Sequence, residues 1–360
     1  MVVGSGSLAR SVCFSLAMTS TAPLAVTVLA RSAARAAEVG YVAGTAARLT
    51  GRPVTVAAAA VDLRSGELAD ALAELGPAAV LVLASAHSPW ERRTRPSAWT
   101  ELLDRAGFGV TLPLQAAVAA EVGRAVAAAC PAALLLNGCF PDAVNPLLTA
   151  LGIPVHCGIG NAAILAASLQ AGLALPDQRD LAVLAHHVHL HEPEDPDDEA
   201  LAWVGGTPVE KVGALLAAQR ATDPQVVNQV TGLTAALLLR GVLAGTEVPA
   251  VLPGPLGLPG GYPVLVRGAA LSLRLPPGVD RAAAVAWNQR MAERDGVRVE
   301  ADRVAFAPAA AEALAPYLPE LAAGFAVRDT PAVTETLLAL RTRLRALGPS
   351  NQRTGPEDHR

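Results

Sequence analysis

A glycine-rich turn at the start of the chain constrains the fold more than any other feature of the sequence. The segment Gly4-Ser-Gly-Ser-Leu-Ala9 follows a short β-branched run, and an apolar helical pattern begins directly after it. Gly4 permits a tight turn, Gly6 has no side chain to keep a pyrophosphate from the backbone, and Ala9 lets the helix lie close to the strand. The helix N-terminus offers unpaired N–H groups to phosphates. The spacing therefore predicts a strand–turn–helix unit that binds a dinucleotide through Gly4, Gly6, Ser7, Leu8 and Ala9.

The end of the next predicted strand, residues 25–30, indicates which dinucleotide is bound. Folds that select NAD place an Asp or Glu there to bind the ribose 2′-hydroxyl, and this chain has none. Arg31, Ser32 and Arg35 stand there instead, and these side chains suit a 2′-phosphate. The sequence therefore predicts NADP as the cofactor, with NAD as the second candidate. The other interpretation is that the two arginines are solvated charges at a helix start.

Strand-like and helical segments alternate through the first half of the chain. Apolar runs at residues 54–61, 78–84 and 132–136 have the character of strands, and residues 114–129 form an amphipathic helical pattern. The continuous run at 78–84 is typical of a parallel strand that is buried on both faces. The alternation predicts an α/β fold with a doubly wound parallel sheet of the Rossmann type.

Polar residues follow two of these predicted strands. In such sheets catalytic and binding groups gather at the carboxyl ends of the strands. We expect Ala84 and Ser85 to contact the cofactor and Asn137 to lie beside the nicotinamide. The loop that begins at Ser85 carries three arginines that are candidates to bind a carboxylate or phosphate of the substrate, although solvated charge runs of this kind are equally common. They are Arg92, Arg93 and Arg95.

The character of the chain changes near residue 151. A glycine-containing strand precedes a helix at 162–173, residues 181–191 form a predicted strand with four histidines, and helical and strand-like runs continue to 347. We predict a dinucleotide-binding domain at 1–150, an α+β substrate domain at 151–347, and a disordered polar tail at 348–360. His187, His189 and His191 alternate along the strand and should therefore share one face.

Composition excludes several classes of function. The net charge of −4 gives no basic field for nucleic acid, and no uninterrupted apolar run is long enough to span a membrane. Cys13, Cys130, Cys139 and Cys157 lack the paired spacing of a metal site, so buried thiols are the simplest interpretation. The sequence predicts a cytoplasmic α/β protein with a small-molecule or peptide-like substrate.

Three stretches resemble the lactate/malate dehydrogenase superfamily. Residues 114–137 include Ala-Cys-Pro-Ala-Ala-Leu-Leu-Leu-Asn, which is similar to the helix and strand that end in that family's Ser-Asn-Pro segment. Residues 141–160 include Asn-Pro-Leu-Leu-Thr-Ala-Leu-Gly-Ile-Pro and then Gly-Ile-Gly, and resemble the next helix and strand. Residues 232–277 resemble the C-terminal helix and antiparallel strands. The resemblance implies the family's fold over nearly the whole chain and a homo-oligomer.

The resemblance also implies a catalytic arrangement that this chain departs from. In the family a histidine at a strand end is the acid/base, an Asp one helix earlier orients it, and an Arg on that helix binds the substrate carboxylate. Counted from the Gly-Ile-Gly segment, the histidine position falls at His191, whereas Ile164 and Ala167 stand where the Asp and Arg would be. A site without that Arg lacks the bidentate clamp for a 2-oxo acid. We therefore expect a substrate other than a simple 2-oxo acid.

Three functions stay open at this point. The first is an NAD(P)H-dependent oxidoreductase acting on a C=O or C=N carbon, as in a tailoring reaction of biosynthesis. In it His191 carries the proton, with His187 or His189 as its neighbour. The second is a non-catalytic relative that binds a dinucleotide or a partner. The third is a glycosidase-like enzyme that uses NAD and a metal, with the histidines and Cys157 as ligands. The histidines could also be plain pocket or surface residues. Asn161 and Asn228 are further candidates to contact the substrate.

Overall fold

A parallel sheet forms the first half of the protein. The computed structural model describes residues 1–62 and 66–349, so the predicted tail lies outside the described residues from position 350 onward. The elements of this half are β1 (Val2–Val3), α1 (Ser7–Thr19), β2 (Leu24–Ala30), α2 (Ala33–Leu49), β3 (Val54–Ala60), α3 (Glu67–Leu75), β4 (Ala79–Val82), α4 (Glu91–Thr94), α5 (Ala98–Ala106), α6 (Leu112–Ala129), β5 (Leu134–Asn137), α7 (Pro141–Ala150) and β6 (Cys157–Gly158).

The six strands pair in the order β3-β2-β1-β4-β5-β6, and every pair is parallel. The central strand β1 is only two residues long, with Val2 opposite Val28 on one side and Leu81 on the other. The order reverses between β1 and β4, and such a reversal opens a crevice at the carboxyl ends of the strands. The predicted doubly wound parallel sheet is confirmed.

Alternate residues of each strand enter two different hydrophobic cores. Val3 and Val82 pack with α5, α6 and the later helix Thr330–Arg345 on one face of the sheet, whereas Val2 and Leu81 pack with α1, α2 and the later helix Pro224–Ala244 on the other. This alternation follows from the pleat of a strand, and it explains why the strands are apolar at nearly every position. Both faces of the sheet are covered by helices.

The second half is built of helices and three small antiparallel sheets, β7-β8-β9, β10-β11-β12 and β13-β14-β15. Its elements are α8 (Asn161–Gly172), β7 (Leu181–Leu184), β8 (Leu201–Val204), β9 (Thr207–Pro208), α9 (Val212–Ala221), α10 (Pro224–Ala244), β10 (Glu247–Pro253), β11 (Gly261–Arg267), β12 (Ala270–Leu273), α11 (Arg281–Arg294), β13 (Val297–Val299), β14 (Arg303–Phe306), α12 (Pro308–Leu314), β15 (Phe325–Ala326) and α13 (Thr330–Arg345).

The prediction of a strand across residues 181–191 is wrong. Strand β7 ends at Leu184, and His187–Leu190 form a turn of 3₁₀-helix. Side chains advance by about 120° per residue in such a turn. His187, His189 and His191 therefore do not share one face, contrary to the expectation from strand alternation.

The C-terminal segments return to the first half of the chain. Helix α13 packs on α5 and α6, and residues from β13 to α13 complete the core beneath that face of the sheet. The division at residue 150 stays a prediction. Within the described residues, only α10 is long and apolar enough to cross a membrane by length and composition, and here it packs against α1, α8 and β10.

Candidate functional site

A groove of about 1910 Å³ runs along the carboxyl ends of the parallel strands. The turn after β1, the end of β2, the loop after β4 and the 3₁₀ turn after β7 all line it. Strand ends meet on one edge of a parallel sheet, so the topology alone brings these distant segments together. The predicted cofactor residues that line the groove are Gly4, Gly6, Ser7, Leu8, Arg31, Ser32, Arg35, Ala84 and Ser85.

The glycine turn has the local geometry that its sequence predicts. Gly4 has φ of +131°, and a Cβ there would lie 2.8 Å from the carbonyl oxygen of Leu83. Gly6 is the N-cap of α1, and a Cβ there would meet nothing within 4 Å, so the space above it is open. Ala9, in the first turn of α1, is fully buried. An open cradle at a helix N-terminus fits a pyrophosphate.

The segment after β2 forms the far end of the groove. Ser32 caps α2 by accepting a hydrogen bond from the backbone N–H of Arg35. Arg31 and Arg35 are exposed at the groove wall. The structure thus brings both guanidinium groups to the place where β2 ends, next to the glycine turn.

A histidine–carboxylate pair lies at the other end of the groove. Nδ1 of His187 is 2.9 Å from Oδ2 of Asp295, the residue that follows α11. A carboxylate can only accept, so Nδ1 donates and Nε2 of His187 is left for a substrate. The His187 side chain is 21% exposed and lines the groove, whereas that of Asp295 is 7% exposed. This pair has the form of an oriented general acid/base.

Electrostatics strengthen the pair. Burial by itself would lower the pKa of His187, but the charge and the hydrogen bond of Asp295 raise that pKa above its ordinary value. Burial would raise the pKa of Asp295, but His187 lowers it below the ordinary range. Both effects favour an imidazolium beside a carboxylate. The neighbouring His186 has its Nδ1 at 3.8 Å from the same Oδ2 of Asp295.

Close backbone packing holds Asp295 in place. A Cβ on Gly109 would lie 2.7 Å from the Asp295 carbonyl oxygen, and a Cβ on Gly107 would lie 2.9 Å from it. The Gly109 N–H donates to that same oxygen over 2.8 Å. Phe108, between the two glycines, stacks on His187 with ring centroids 5.1 Å apart and planes inclined by 28°. One short turn therefore positions both members of the pair.

The other two predicted catalytic histidines occupy different environments. His189 is fully buried against Trp287, and its ring nitrogens bind the backbone of His186 and Asp198. Burial lowers the pKa of His189 to about 4. His191 lines the groove, and burial, followed by the charge of His187, lowers its pKa. Of the three predicted catalytic histidines, His187 and His191 line the groove and His189 does not.

Asn137 is held inside the protein. Its Nδ2 donates to the carbonyl of Cys139 and to Oδ1 of Asn145, both over 3.0 Å, and its Oδ1 accepts from the Cys139 N–H. The side chain is fully buried and is absent from the groove lining. These bonds fix the turn after β5 and leave the amide no free donor toward a nicotinamide.

Three arginines of the groove have carboxylate partners. Arg92 pairs with Asp104 at 3.2 Å, and Arg93 makes a bidentate pair with Asp223 at 3.0 and 2.8 Å. Arg220, which sequence reasoning did not consider, makes a bidentate pair with Glu199. Arg95 is exposed and does not line the groove.

The remaining candidates connect parts of the site. Asn228 lines the groove and donates to the Ser7 hydroxyl over 3.1 Å, which ties α10 to the glycine turn. Asn161 donates to Oδ2 of the buried Asp142 over 3.1 Å. Cys157 is buried in β6, and burial raises its pKa to about 12. Across residues 1–62 and 66–349, no three His, Cys, Asp or Glu side chains are grouped to hold a metal ion.

Asp295 is the residue that sequence reasoning missed. It follows α11, more than a hundred residues along the chain from the histidines, and its spacing resembles no motif. One signal was available. An acid at the C-terminal end of a helix is disfavoured by the helix dipole, so its presence before Gly296 indicates a compensating cation.

Comparisons with known proteins agree on the fold. No protein-family model matches the chain, and no curated protein matches it. The apo malate dehydrogenase of Picrophilus torridus is similar with a TM-score of 0.56 and 14% identity, over 82% of this chain and 94% of that one. The malate dehydrogenase of Archaeoglobus fulgidus in complex with NADH is similar with a TM-score of 0.54 and 14% identity, over 82% of this chain and 97% of that one.

A third solved structure is the lactate dehydrogenase of Cryptosporidium parvum with lactic acid and β-nicotinamide adenine dinucleotide. It is similar with a TM-score of 0.51 and 16% identity, over 81% of this chain and 94% of that one. Identities this low define a fold and nothing finer. The chain therefore has the α/β fold of the malate and lactate dehydrogenases, with a parallel six-stranded sheet followed by antiparallel sheets.

Proposed function

We propose that this protein is an NAD(P)-dependent oxidoreductase that transfers a hydride between a nicotinamide and a C=O or C=N carbon. The observation that carries the proposal is the His187–Asp295 pair, which opens on the same groove as the glycine turn. The similarity to dehydrogenases supports the class of reaction at the level of the fold.

In this proposal one end of the groove binds the dinucleotide and the other end transfers the proton. The turn at Gly4 and Gly6 and the N-terminus of α1 would hold the pyrophosphate, and the dinucleotide when bound supplies or accepts the hydride. His187 gives a proton from Nε2 to the substrate heteroatom, or takes it back in the reverse direction. Asp295 keeps the proton on Nδ1 and stabilises the imidazolium. His187, rather than His191, is thus our candidate for the proton carrier.

We further propose that NADP is the preferred cofactor. Arg31 and Arg35 face the groove where β2 ends, and no carboxylate stands at the end of β2 to repel a 2′-phosphate. The NAD and NADH named with similar structures belong to those proteins. NAD remains the second candidate here.

The substrate we propose is not a simple 2-oxo acid. Ile164 on α8 lines the groove where the family resemblance leads one to expect a polar side chain, and it is nearly fully buried. Three arginines of the groove, Arg92, Arg93 and Arg220, are already paired with carboxylates. Each of these three would have to leave its partner to clamp a substrate carboxylate.

The partner we propose for the protein is a second copy of itself. Val226, Val230, Leu233 and Leu237 form one stripe along α10, and each is more than 40% exposed. Phe14 on the neighbouring α1 is 44% exposed, and α1 packs tightly on α10. An apolar patch of this extent is typical of a protein–protein interface.

A dinucleotide titration tests the proposed function. NADPH, NADH and both oxidised forms are titrated against the wild type, Arg31→Ala and Gly6→Val. We expect the Gly6→Val variant to fold normally, because a Cβ at Gly6 would meet nothing within 4 Å. We expect it to lose dinucleotide binding, because the valine side chain would fill the space proposed for the pyrophosphate. We expect Arg31→Ala to lose most of the preference for NADPH.

The outcomes separate the functions under consideration. Binding of none of the four dinucleotides to the wild type would overturn the proposal. If the protein binds a dinucleotide but turns over no carbonyl or imine, and His187→Gln changes nothing measurable, the protein is a non-catalytic relative. Loss of activity to a chelator would indicate the metal-using glycosidase.

A further inference from the structure

One face of α13 forms a wall of the groove. Thr334, Leu338, Arg341 and Arg345 all line it, and their spacing of three or four residues brings them to one side of a helix. Arg341 is only 9% exposed, so its side chain is buried within this wall. An arginine does not lose its proton inside a protein, and a buried one therefore needs a partner for its charge.

The described part of the chain supplies Arg341 with a single neutral acceptor. Its Nη1 donates to the carbonyl oxygen of Ala86, whereas its Nε has no hydrogen-bond partner among the described residues. Glu335 also lines the groove, but it is exposed and forms no ion pair with Arg341. Burial and the charge of Arg345 lower the pKa of Arg341, and the charge of Glu91 only partly opposes them. The positive charge of Arg341 is therefore unmatched.

The neighbouring Arg345 shows how an arginine of this helix binds a carboxylate. Its Nε and Nη2 donate to the two carboxylate oxygens of Glu91, which makes a bidentate pair through one edge of the guanidinium. Oε2 of Glu91 also lies 3.2 Å from Nδ1 of His87, so this carboxylate is fully engaged. The same edge of Arg341, one helical turn earlier, meets no acceptor among the described residues.

Arg341 and His187 belong to the same groove but not to the same part of it. Arg341 holds Ala86, and the ring of the next residue, His87, lies 6.2 Å from the ring of Phe108, which in turn stacks on His187. All five residues line the groove. Among the described residues, Arg341 is not one of the groups whose charge shifts the pKa of His187. The two side chains therefore face different parts of a bound molecule.

The phosphates of the dinucleotide already have proposed places elsewhere. The glycine turn and the N-terminus of α1 suit the pyrophosphate, and Arg31 and Arg35 suit a 2′-phosphate. The charge of Arg341 is thus left for the other molecule in the groove, the substrate. A phosphate monoester, with nearly two negative charges, would need a second free cation, and Arg345 is already bound to Glu91. One unmatched guanidinium instead suits a single carboxylate.

We infer that Arg341 binds a carboxylate of the substrate that is remote from the carbon that exchanges the hydride. This inference rests on the proposed oxidoreductase function. It defines a class of substrate, a carbonyl or imine compound in which an apolar part, lying against Phe108, separates the reacting carbon from the carboxylate. A simple 2-oxo acid is outside this class, because its carboxylate is attached to the reacting carbon itself.

Matched acids and amides test the inference. The acids are 4-oxo-4-phenylbutanoate, 5-oxo-5-phenylpentanoate and 6-oxo-6-phenylhexanoate, in which a growing chain separates the ketone from the carboxylate. Each is compared with its primary amide, which has the same shape without the charge, by titration into the protein saturated with NADP⁺. We expect at least one acid to bind at least tenfold more tightly than its amide. Phenylglyoxylate, with its carboxylate on the reacting carbon, should gain no such advantage over its amide.

Variants of α13 make the test specific. Arg341→Gln removes the charge and keeps an N–H donor, so the advantage of the acid over its amide should disappear while the affinity for the amide changes less than twofold. Arg343→Gln, exposed on the same helix and outside the groove, should alter neither affinity. If the buried glutamine prevents folding, Arg341→Lys, which keeps the charge but not the paired donors, should reduce the advantage at least threefold.

The inference and the proposed function fail in different ways. A wild type that binds no dinucleotide overturns the proposed function. A wild type that binds NADP⁺ but prefers no acid to its amide overturns only the inference, and so does a preference that survives in Arg341→Gln. Equal losses of acid and amide affinity in that variant would show a purely structural role. A matching loss of NADP⁺ affinity would assign Arg341 to a phosphate of the dinucleotide, and either result overturns the inference.

Discussion

The clearest single perturbation of the site is Asp295→Asn. The substitution keeps the shape of the side chain and an oxygen that can accept from Nδ1 of His187, but it removes the charge. Because that carboxylate is what raises the pKa of His187, we expect the pKa to fall in the variant. The imidazolium that the reduction needs would then be scarce at neutral pH.

The size of the effect follows from the geometry. Nδ1 and Oδ2 are 2.9 Å apart, which places the centres of the two charges further apart, at about 4 Å. At that separation and an effective dielectric constant of about 20, opposite charges attract by about 4 kcal/mol. The asparagine retains part of the hydrogen bond, so a loss of about 3–4 kcal/mol is expected. At about 1.4 kcal/mol per factor of ten, the proton-transfer step should slow by roughly 10²–10³-fold.

Two measurements check this reasoning. An NMR titration of the imidazole resonances, assigned with His187→Gln, reports the pKa of His187 without any substrate. Turnover of the best carbonyl or imine probe reports the rate, and its pH profile should move to lower pH in Asp295→Asn. Asp198→Asn is the matched control, because it removes the neighbouring ion pair with Arg294, outside the groove. An unchanged His187 pKa in Asp295→Asn, or a rate within twofold of the wild type, would refute the assigned roles.

Three further predictions concern the surroundings of the pair. Gly109→Ala should lower kcat more than tenfold with cofactor affinity unchanged, because its Cβ would displace the Asp295 backbone; equal kcat in both proteins would contradict this. Burial by itself would raise the pKa of Glu91. Its contacts with His87 and Arg345 outweigh burial and lower that pKa from 4.5 to about 2. A carboxyl group whose pKa is lower in the folded than in the unfolded protein stabilises the fold when the pH is above its unfolded pKa. Glu91→Gln should therefore reduce the free energy of unfolding by up to about 3 kcal/mol at neutral pH. The difference should shrink as pH falls from 4.5 toward 2 in thermal melts, and a constant difference would contradict the assignment. Leu233→Glu should shift the mass measured by light scattering to that of a monomer, whereas Glu38→Gln, on a neighbouring helix, should not; a wild type that is already monomeric would refute the α10 interface.

The dinucleotide half of the fold was predictable because its signals are local. The backbone at Gly4 needs a positive φ and close contact with Leu83, and only glycine satisfies both. The glycine in the sequence therefore predicts the local backbone geometry. The continuous apolar strands likewise follow from burial on both faces of the sheet. The apolar runs at residues 54–61 and 78–84 therefore end within two residues of the observed strands β3 and β4.

The histidine segment was predicted less well because its periodicity is ambiguous. Alternating histidines at residues 187, 189 and 191 match a strand, but β7 ends at Leu184, where its partner β8 begins at Leu201. Beyond this point the backbone turns, and its polar groups form local hydrogen bonds. One example is the bond from the His186 N–H to Nδ1 of His189. Pairing partners are a tertiary property that a single segment does not encode.

The position of Asp295 shows why the site itself resisted prediction. A histidine acid/base needs a carboxylate close to Nδ1, but physics does not require that carboxylate to come from a particular helix. Here α8 presents Ile164 to the groove, and the carboxylate comes from the end of α11, where the helix dipole disfavours it. Two glycines that flank Phe108 allow the backbone to approach Asp295 closely enough to fix it. Removing either glycine or the carboxylate should thus impair the same proton transfer, and a double variant, Gly109→Ala with Asp295→Asn, should be little worse than Asp295→Asn alone. Additive losses would show instead that Gly109 acts on something other than this carboxylate.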